Sequence, residues 1–258
     1  MPKPKKSVAK ATKTGGAPTM PFSSEKRFTS WLCSPGNVCV PFEQRPFTEN
    51  VQWRIFRIMA EFIEGFEFLS KLVKEVTIFG SARAMPDDPA YKTARELGAL
   101  LGKDGYTVIT GGGPGIMEAA NRGAFDAGGT SVGLDIELPK GQRRNKFALI
   151  TMGFHYFFTR KVMLSASAQA YVFFPGGFGT LDEMTEMLTL IQTGKIPPEV
   201  PLILVGKAFW RPFIDWANVA LCAEYRYVDA ADVKIMRIVD TAQEAFDIIK
   251  KTHEREFG

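Results

Sequence analysis

The stretch YVFFPGGFGTLDEMTEM, residues 171–187, spells a strand, a turn and a helix start in one line. Tyr171–Phe174 is an apolar run of aromatic and β-branched residues, the composition of a strand buried on both faces. Pro175 and the glycines at 176, 177 and 179 end it. Beyond them Leu181, Met184, Leu188 and Ile191 recur at a helical period, predicting a helix whose apolar stripe turns Glu183 and Glu186 toward the glycine turn. Thr180 and Glu183, three apart, also form the T-x-x-E pattern of a capping box, in which hydroxyl and carboxylate each bond the other residue's amide. That reading explains both residues without a ligand. Yet three glycines exceed what a cap needs, because each costs backbone entropy. The turn therefore also reads as a cradle for an anion, with a carboxylate at its rim.

Outward from this stretch the same unit repeats. The runs EVTIFGS, YTVITGG, TSVGLDI, AYVFFPG and VPLILVG alternate with the helical segments PAYKTARELGALLGKDG, GIMEAANRGAFDAGG and LDEMTEMLTLIQTGK. Apolar strands separated by helices predict an α/β fold: a Rossmann-like, doubly wound parallel sheet with helices on both faces and an N-terminal extension. The expected organisation is a disordered basic tail over 1–20, an irregular arm and helix over 21–74, and the Rossmann-like domain over 75–258. In VQWRIFRIMAEFIEGFEFLSKL, residues Val51, Ile55, Ile58, Met59, Phe62, Ile63, Phe66 and Leu69 keep helical spacing, predicting a helix buried against its own sheet or across a dimer interface.

Charge and cysteine usage narrow the function classes. Lys3, Lys5, Lys6, Lys10 and Lys13 lie in the first twenty residues with no acid, and the remaining 27 basic residues face 28 acids. The basic balance belongs to the tail, so nothing points to a nucleic-acid-binding body. Cys33, Cys39 and Cys222 are too few and too scattered for a disulfide framework or a zinc site, which fits a cytoplasmic protein. No run of eighteen apolar residues occurs, so no membrane partner is expected. Neither His155 nor His253 has neighbours at metal-ligand spacing, and no metal or other cofactor is expected.

In a parallel sheet, ligands gather beyond the carboxyl ends of the strands. Three turns there are rich in small residues: FGSAR at 79–83, with Gly80 and Ser81; TGGGPGIMEAANRGA at 110–124, with Gly111, Gly112 and Gly113; and PGGFGT at 175–180, with Gly176, Gly177, Gly179 and Thr180. Each precedes a helix whose first N–H groups favour an anion. None is the G-x-G-x-x-G fingerprint of a dinucleotide fold or a P-loop. Arg160 and Lys161, in FHYFFTRKVMLSASAQ, lie in a helical segment returning to the same edge. Arginine is the side chain best shaped to grip phosphate or carboxylate.

PGGFGTLDE together with the upstream Arg160-Lys161 and GGGPGIMEA resembles the Lonely Guy (LOG) family, once labelled lysine decarboxylases. The resemblance covers roughly residues 75–220. It implies a homo-oligomer, at least a dimer, that hydrolyses the N-glycosidic bond of a nucleoside 5′-monophosphate, a cytokinin riboside monophosphate or AMP, to free base and ribose 5-phosphate, as in cytokinin biosynthesis. It also implies Arg160 and Glu183 as the catalytic pair. Phosphate and ribose contacts would fall on Gly177, Gly179 and Thr180, with Lys161, Ser81 and Gly111–Gly113. Three departures leave the base open: Phe158 replaces the family's His, the glycine turn GGGPGIM is one residue shorter, and Gln142 stands where a Glu is common.

Cleaving an N-glycosidic bond builds positive charge on the ribose, which a carboxylate beneath the ring stabilises. Glu183 is expected to do this or to orient the attacking water, with Arg160 holding it ionised. The alternative is a nucleotide sensor on the same scaffold, which would have little use for a carboxylate beside a phosphate cradle. A decarboxylase would need a Schiff-base Lys in a recognisable pyridoxal phosphate setting, and no Lys offers one.

Overall fold

The structure, a computed structural model, describes residues 31–33, 39–41, 51–137 and 145–255. The expected basic tail, most of the arm, and Gln142 lie outside the described residues. The chain divides into two compact units, Met1–Trp53 and Arg54–Gly258. In the first, β1 (Trp31–Cys33) and β2 (Cys39–Pro41) form an antiparallel pair with Leu32 opposite Val40.

The second unit is a seven-stranded sheet in the order β6-β5-β4-β3-β7-β8-β9, and every neighbouring pair is parallel. Its strands are β3 (Glu75–Phe79), β4 (Thr107–Thr110), β5 (Ser131–Ile136), β6 (Ile150–Phe154), β7 (Ala170–Phe173), β8 (Leu202–Val205) and β9 (Met236–Val239). Its helices are α1 (Val51–Leu69, mostly in this unit), α2 (Pro89–Lys103), α3 (Ile116–Asp126), α4 (Phe157–Ala166), α5 (Phe178–Gln192), α6 (Lys207–Trp216), α7 (Ala230–Val233) and α8 (Ala242–Ile249), with a π-helical stretch over Ala217–Glu224.

The strands are apolar on both faces because each face carries its own core. Val76 and Ile78 of β3, Ala170 and Val172 of β7, and Ile203 and Val205 of β8 pack with Leu97, Ile116 and Ala245 of α2, α3 and α8. The alternate residues Phe79, Tyr171, Phe173, Leu202 and Leu204 pack with Met163, Met184 and Trp210 on the other side. The Rossmann-like, doubly wound reading holds. Of the seven strands, β6 and β9 had no counterpart among the five expected. They are the two edges, and ITMGF and MRIV carry the exposed or polar residues that edge position permits.

β4 and β7 leave β3 on opposite sides, so the winding reverses between β3 and β7. A crevice opens beyond the carboxyl ends of strands at such a point. Helix α1 differs from its expectation. Only Glu61, Gly65 and Leu69 are buried on it, whereas Ile55, Met59, Ile63 and Phe66 remain exposed. Burial against its own sheet is thereby excluded for most of its apolar face, and the dimer alternative remains. No described helix is long and apolar enough to cross a membrane.

Candidate active site

A cleft of about 710 Å³ lies at the winding reversal. Gly80 and Ser81 after β3, Gly111 after β4, Arg160 of α4, and Gly177, Gly179, Thr180 and Glu183 of the β7–α5 turn all line it. These eight anticipated residues come together from four places in the chain. Gly112, Gly113, Lys161 and Gly176 do not line it.

The two glycine-rich turns differ in what their glycines face. A Cβ at Gly112, whose φ is +67°, would stand 1.7 Å from Oδ1 of Asp135, and one at Gly115, φ +71°, would stand 2.2 Å from the carbonyl oxygen of Ser81. Gly112 and Gly113 are buried and absent from the cleft wall. A network holds this turn: the amide of Gly112 donates to Thr110 Oγ1 at 3.0 Å, Thr110 bonds Asn121, and the amide of Asn145 donates to the Gly112 carbonyl at 3.0 Å. Gly112 is required by its own surroundings, and neither Gly112 nor Gly113 lines the cleft, unlike Gly111. Gly111 makes room for Arg160, whose Nη2 a Cβ there would meet at 2.1 Å.

At the β7–α5 turn the situation reverses. Cβ atoms at Gly177 and Gly179 would meet nothing within 4 Å. Gly177 is the N-cap of α5, so the amides of Phe178 and Gly179 have no carbonyl one turn earlier to receive them. Both residues line the cleft, at the positive end of the helix dipole. Gly176 does not line the cleft. It lies under Thr180, where a Cβ would strike Oγ1 at 2.1 Å.

The capping box at Thr180 and Glu183 does not form. Thr180 is the third residue of α5, its amide donating to the Gly177 carbonyl at 3.0 Å, and no side chain caps this helix. Glu183 stands one turn inside. The buried residues of α5 are Thr180, Glu183, Met184, Met187 and Ile191, so Glu183 lies on the inward face of the helix. It is 7 % exposed, and its Oε2 has no hydrogen-bond partner among the described residues. Burial pushes its pKa up to about 7, with Lys161 and Arg160 opposing and Glu186 and Asp182 assisting.

Arg160 is held by backbone. Its Nε donates to the Leu134 carbonyl at 2.7 Å and its Nη2 to the Gly111 carbonyl at 3.3 Å. Burial lowers its pKa while Glu183 and Asp135 raise it, and guanidinium stays charged at neutral pH regardless. Arg160 and Glu183 share the cleft but form no ion pair, and the net direction at Glu183 is upward. The Arg160 charge favours the ionised carboxyl, and burial outweighs it. Lys161 is not in the cleft. Its Nζ lies 2.9 Å from both Asp182 and Glu186 and ties α4 to α5. Burial opposes its charge, but bonds to Glu186 and Asp182 raise its pKa on balance.

The cleft also contains residues not singled out beforehand. Arg83 is exposed on its wall, two residues past Ser81, whose Oγ accepts from its amide. Phe178, 91 % exposed between the two open glycines, and Met117, Ile136 and Phe157 add apolar surface. Arg83 was visible in FGSAR as a cation beside a small-residue turn. Among the described residues no group of three or more His, Cys, Asp and Glu comes together to hold a metal ion.

A family model described as possible lysine decarboxylase matches residues 117–249. Cytokinin riboside 5′-monophosphate phosphoribohydrolase LOG of Oryza sativa subsp. japonica is 29 % identical over 170 residues, covering 62 % of this chain and 65 % of that protein. The chain thus spans slightly less than two thirds of that relative's length. The X-ray structure of TM1055 superposes with a TM-score of 0.52 at 26 % identity, covering 69 % of this chain and 99 % of the other. The molybdenum cofactor binding protein from the phototrophic bacterium Rippkaea orientalis gives a TM-score of 0.50 at 24 % identity over 69 % and 94 % of the two chains, a likeness of fold alone.

Proposed function

The chain belongs to the possible lysine decarboxylase family, the LOG family of its motifs, and from that premise we propose that it hydrolyses the N-glycosidic bond of nucleoside 5′-monophosphates. The rice relative's name supplies the substrate class, a cytokinin riboside 5′-monophosphate. The single observation that carries the proposal is Glu183: a buried carboxyl with an unpartnered oxygen, beside a helix mouth whose glycines face open space.

In this reading the amides of Phe178 and Gly179 bind the 5′-phosphate, with the α5 dipole and the Arg83 guanidinium completing the charge balance. The sugar then lies over Glu183. Water attacks the anomeric carbon, the C–N bond breaks, and its electron pair leaves with the base, which takes up a proton. The products are free base and ribose 5-phosphate. A carboxyl with a pKa of about 7 is ionised in half the molecules at neutral pH, matched to receiving the water's proton. It also opposes the positive charge growing on the ring. Arg160, anchored to two carbonyls, contributes fixed positive charge at the cleft wall.

The exposed apolar residues Ile55, Met59, Ile63 and Phe66 of α1, with Phe158 of α4, support the further proposal of a homo-oligomer. Ile63→Glu should lower the mass found by light scattering.

The test is incubation with AMP, isopentenyladenosine monophosphate, GMP and UMP, followed by chromatography. Release of free base with equimolar ribose 5-phosphate is expected for at least the adenine nucleotides. Saturable binding without release would make the chain a nucleotide-binding module.

A further inference from the structure

Helix α4 carries Arg160, yet no residue of α4 caps it. Its N-cap is Tyr156, whose side chain makes no capping bond, and its third residue, Thr159, has no carboxylate to reach back to the cap amide. A carboxyl group from another helix fills that role. Glu61 of α1, only 8 % exposed, receives the amide of His155 at 2.9 Å on Oε1, and on Oε2 the amide of Tyr156 at 3.4 Å and the hydroxyl of Thr159 at 2.6 Å. Arg57, one turn earlier on α1, approaches Glu61 at 3.9 Å and Glu137 at 3.4 Å, and Glu137 also meets His155 Nδ1 at 3.1 Å.

We infer that Glu61 is a positioning residue for Arg160. It supplies from α1 the acceptor that a capping box would supply from within α4, and so sets where the first turn of α4 stands. Thr159 is bonded to Glu61, and the next residue is Arg160, whose Nε must reach the Leu134 carbonyl at 2.7 Å. Bonds on these consecutive residues tie the turn to α1 through Glu61 and to β5 through Leu134. Without Glu61, the amides of His155 and Tyr156 lose their acceptor and the Thr159 hydroxyl is left with the Tyr156 carbonyl of its own turn, so the helix start shifts to find others. The inference rests on the proposed role of Arg160 for its kinetic consequence, but not for its structural one.

The amide of glutamine suits this geometry too. Its oxygen accepts from His155 and its NH₂ donates to Thr159 Oγ1, whose hydrogen then turns to the Tyr156 carbonyl, 2.8 Å away, so that only the long 3.4 Å bond from the Tyr156 amide is given up. Shape and acceptor matter here, more than charge.

The experiment compares wild type, Glu61→Gln, Glu61→Ala and Thr159→Val by two readouts. The first, independent of activity, is hydrogen exchange at Arg160 Nε–H, followed by NMR. The second is kcat and KM for AMP, well below each variant's Tm. Glu61→Ala is expected to speed the exchange at least tenfold and to lower kcat by about ten- to a hundredfold with KM within about threefold, the signature of misplacement at the reacting centre. Thr159→Val, which keeps the volume, should move both readouts the same way by less, and Glu61→Gln should restore both to near wild type. A folded Glu61→Ala protein with wild-type exchange overturns the inference, and so does a Glu61→Gln protein as impaired as Glu61→Ala. Should wild type hydrolyse no nucleotide, the function proposed above fails while the exchange readout still decides the role of Glu61.

Discussion

Two of the chain's T-x-x-E stretches, TLDE at 180–183 and TAQE at 241–244, do opposite things. At α8, Thr241 is the N-cap. Its hydroxyl accepts from the Glu244 amide at 3.1 Å, and Glu244 accepts from the Thr241 amide at 3.2 Å. Those backbone bonds, first from Asp240 and then from Thr241, hold the Glu244 carboxyl below its ordinary pKa. At α5 the same letters sit three residues further into the helix. There the carboxyl is buried, one oxygen is unpartnered, and its pKa rises to about 7. Three glycines separate the cases: they let α5 begin at Phe178, so Thr180 has passed the cap position before the pattern starts. A motif's meaning depends on its offset from the helix end.

Replacing each glutamate by glutamine tests this contrast most sharply. Glu183→Gln should lower kcat for nucleotide hydrolysis by roughly 10²–10⁴-fold in a protein with unchanged far-UV circular dichroism. Glu244→Gln should leave kcat unchanged, since glutamine also serves a capping box. Steady-state assays of base release check both.

The glycine turns provide the next largest effect. Gly112→Ala forces a Cβ against Asp135 at positive φ and should cost roughly 2–4 kcal/mol of stability, seen as a fall in Tm on the order of 10 °C. Gly179→Ala meets nothing within 4 Å and should leave Tm level or slightly raised. It should raise KM for AMP about tenfold, because the added methyl stands where the phosphate binds.

Stability against pH separates the glutamates once more, with opposite signs. Between pH 4.5, the ordinary value, and about 7, folded Glu183 keeps its proton while the unfolded chain has lost it. The native state then binds more protons, so stability falls as pH rises through that window. Glu183→Gln should therefore be more stable than wild type at pH 8, by on the order of 2 kcal/mol, and equal to it below pH 4.5. Glu244, with a lowered pKa, contributes stability above its unfolded pKa that is lost as pH falls, so Glu244→Gln should be slightly less stable at pH 8. Urea titrations of the three proteins at pH 4.5 and pH 8 read both signs. The smallest effect is kinetic: wild-type kcat/KM should fall on the acid side of an apparent pKa near 7, a limb that Glu244→Gln leaves in place.

The sheet was legible because central parallel strands are apolar on both faces, as at Tyr171–Phe174, and glycine punctuates their ends. The edges β6 and β9 were not, since Gly153 and Arg237 interrupt any apolar run. Within the site, Gly177, Gly179, Arg160 and Glu183 could be named from spacing and resemblance. Which glycines line the cleft could not, because Gly112 and Gly177 differ in φ, +67° against −93°, and in what a side chain would meet, which at Gly112 is Asp135, more than twenty residues away. Lys161 misled for the same reason: its two carboxylate partners lie on another helix. Glu61 left no local trace, as its bonds to α4 span more than ninety residues.

The most direct measurement is a crystal structure of the Glu183→Gln protein with AMP bound. The account predicts the phosphate within hydrogen-bond reach of the Phe178 and Gly179 amides, with the anomeric carbon facing the side chain at position 183. A phosphate seated on the Gly111–Gly115 turn, or a side chain at 183 directed away from the sugar, would contradict it.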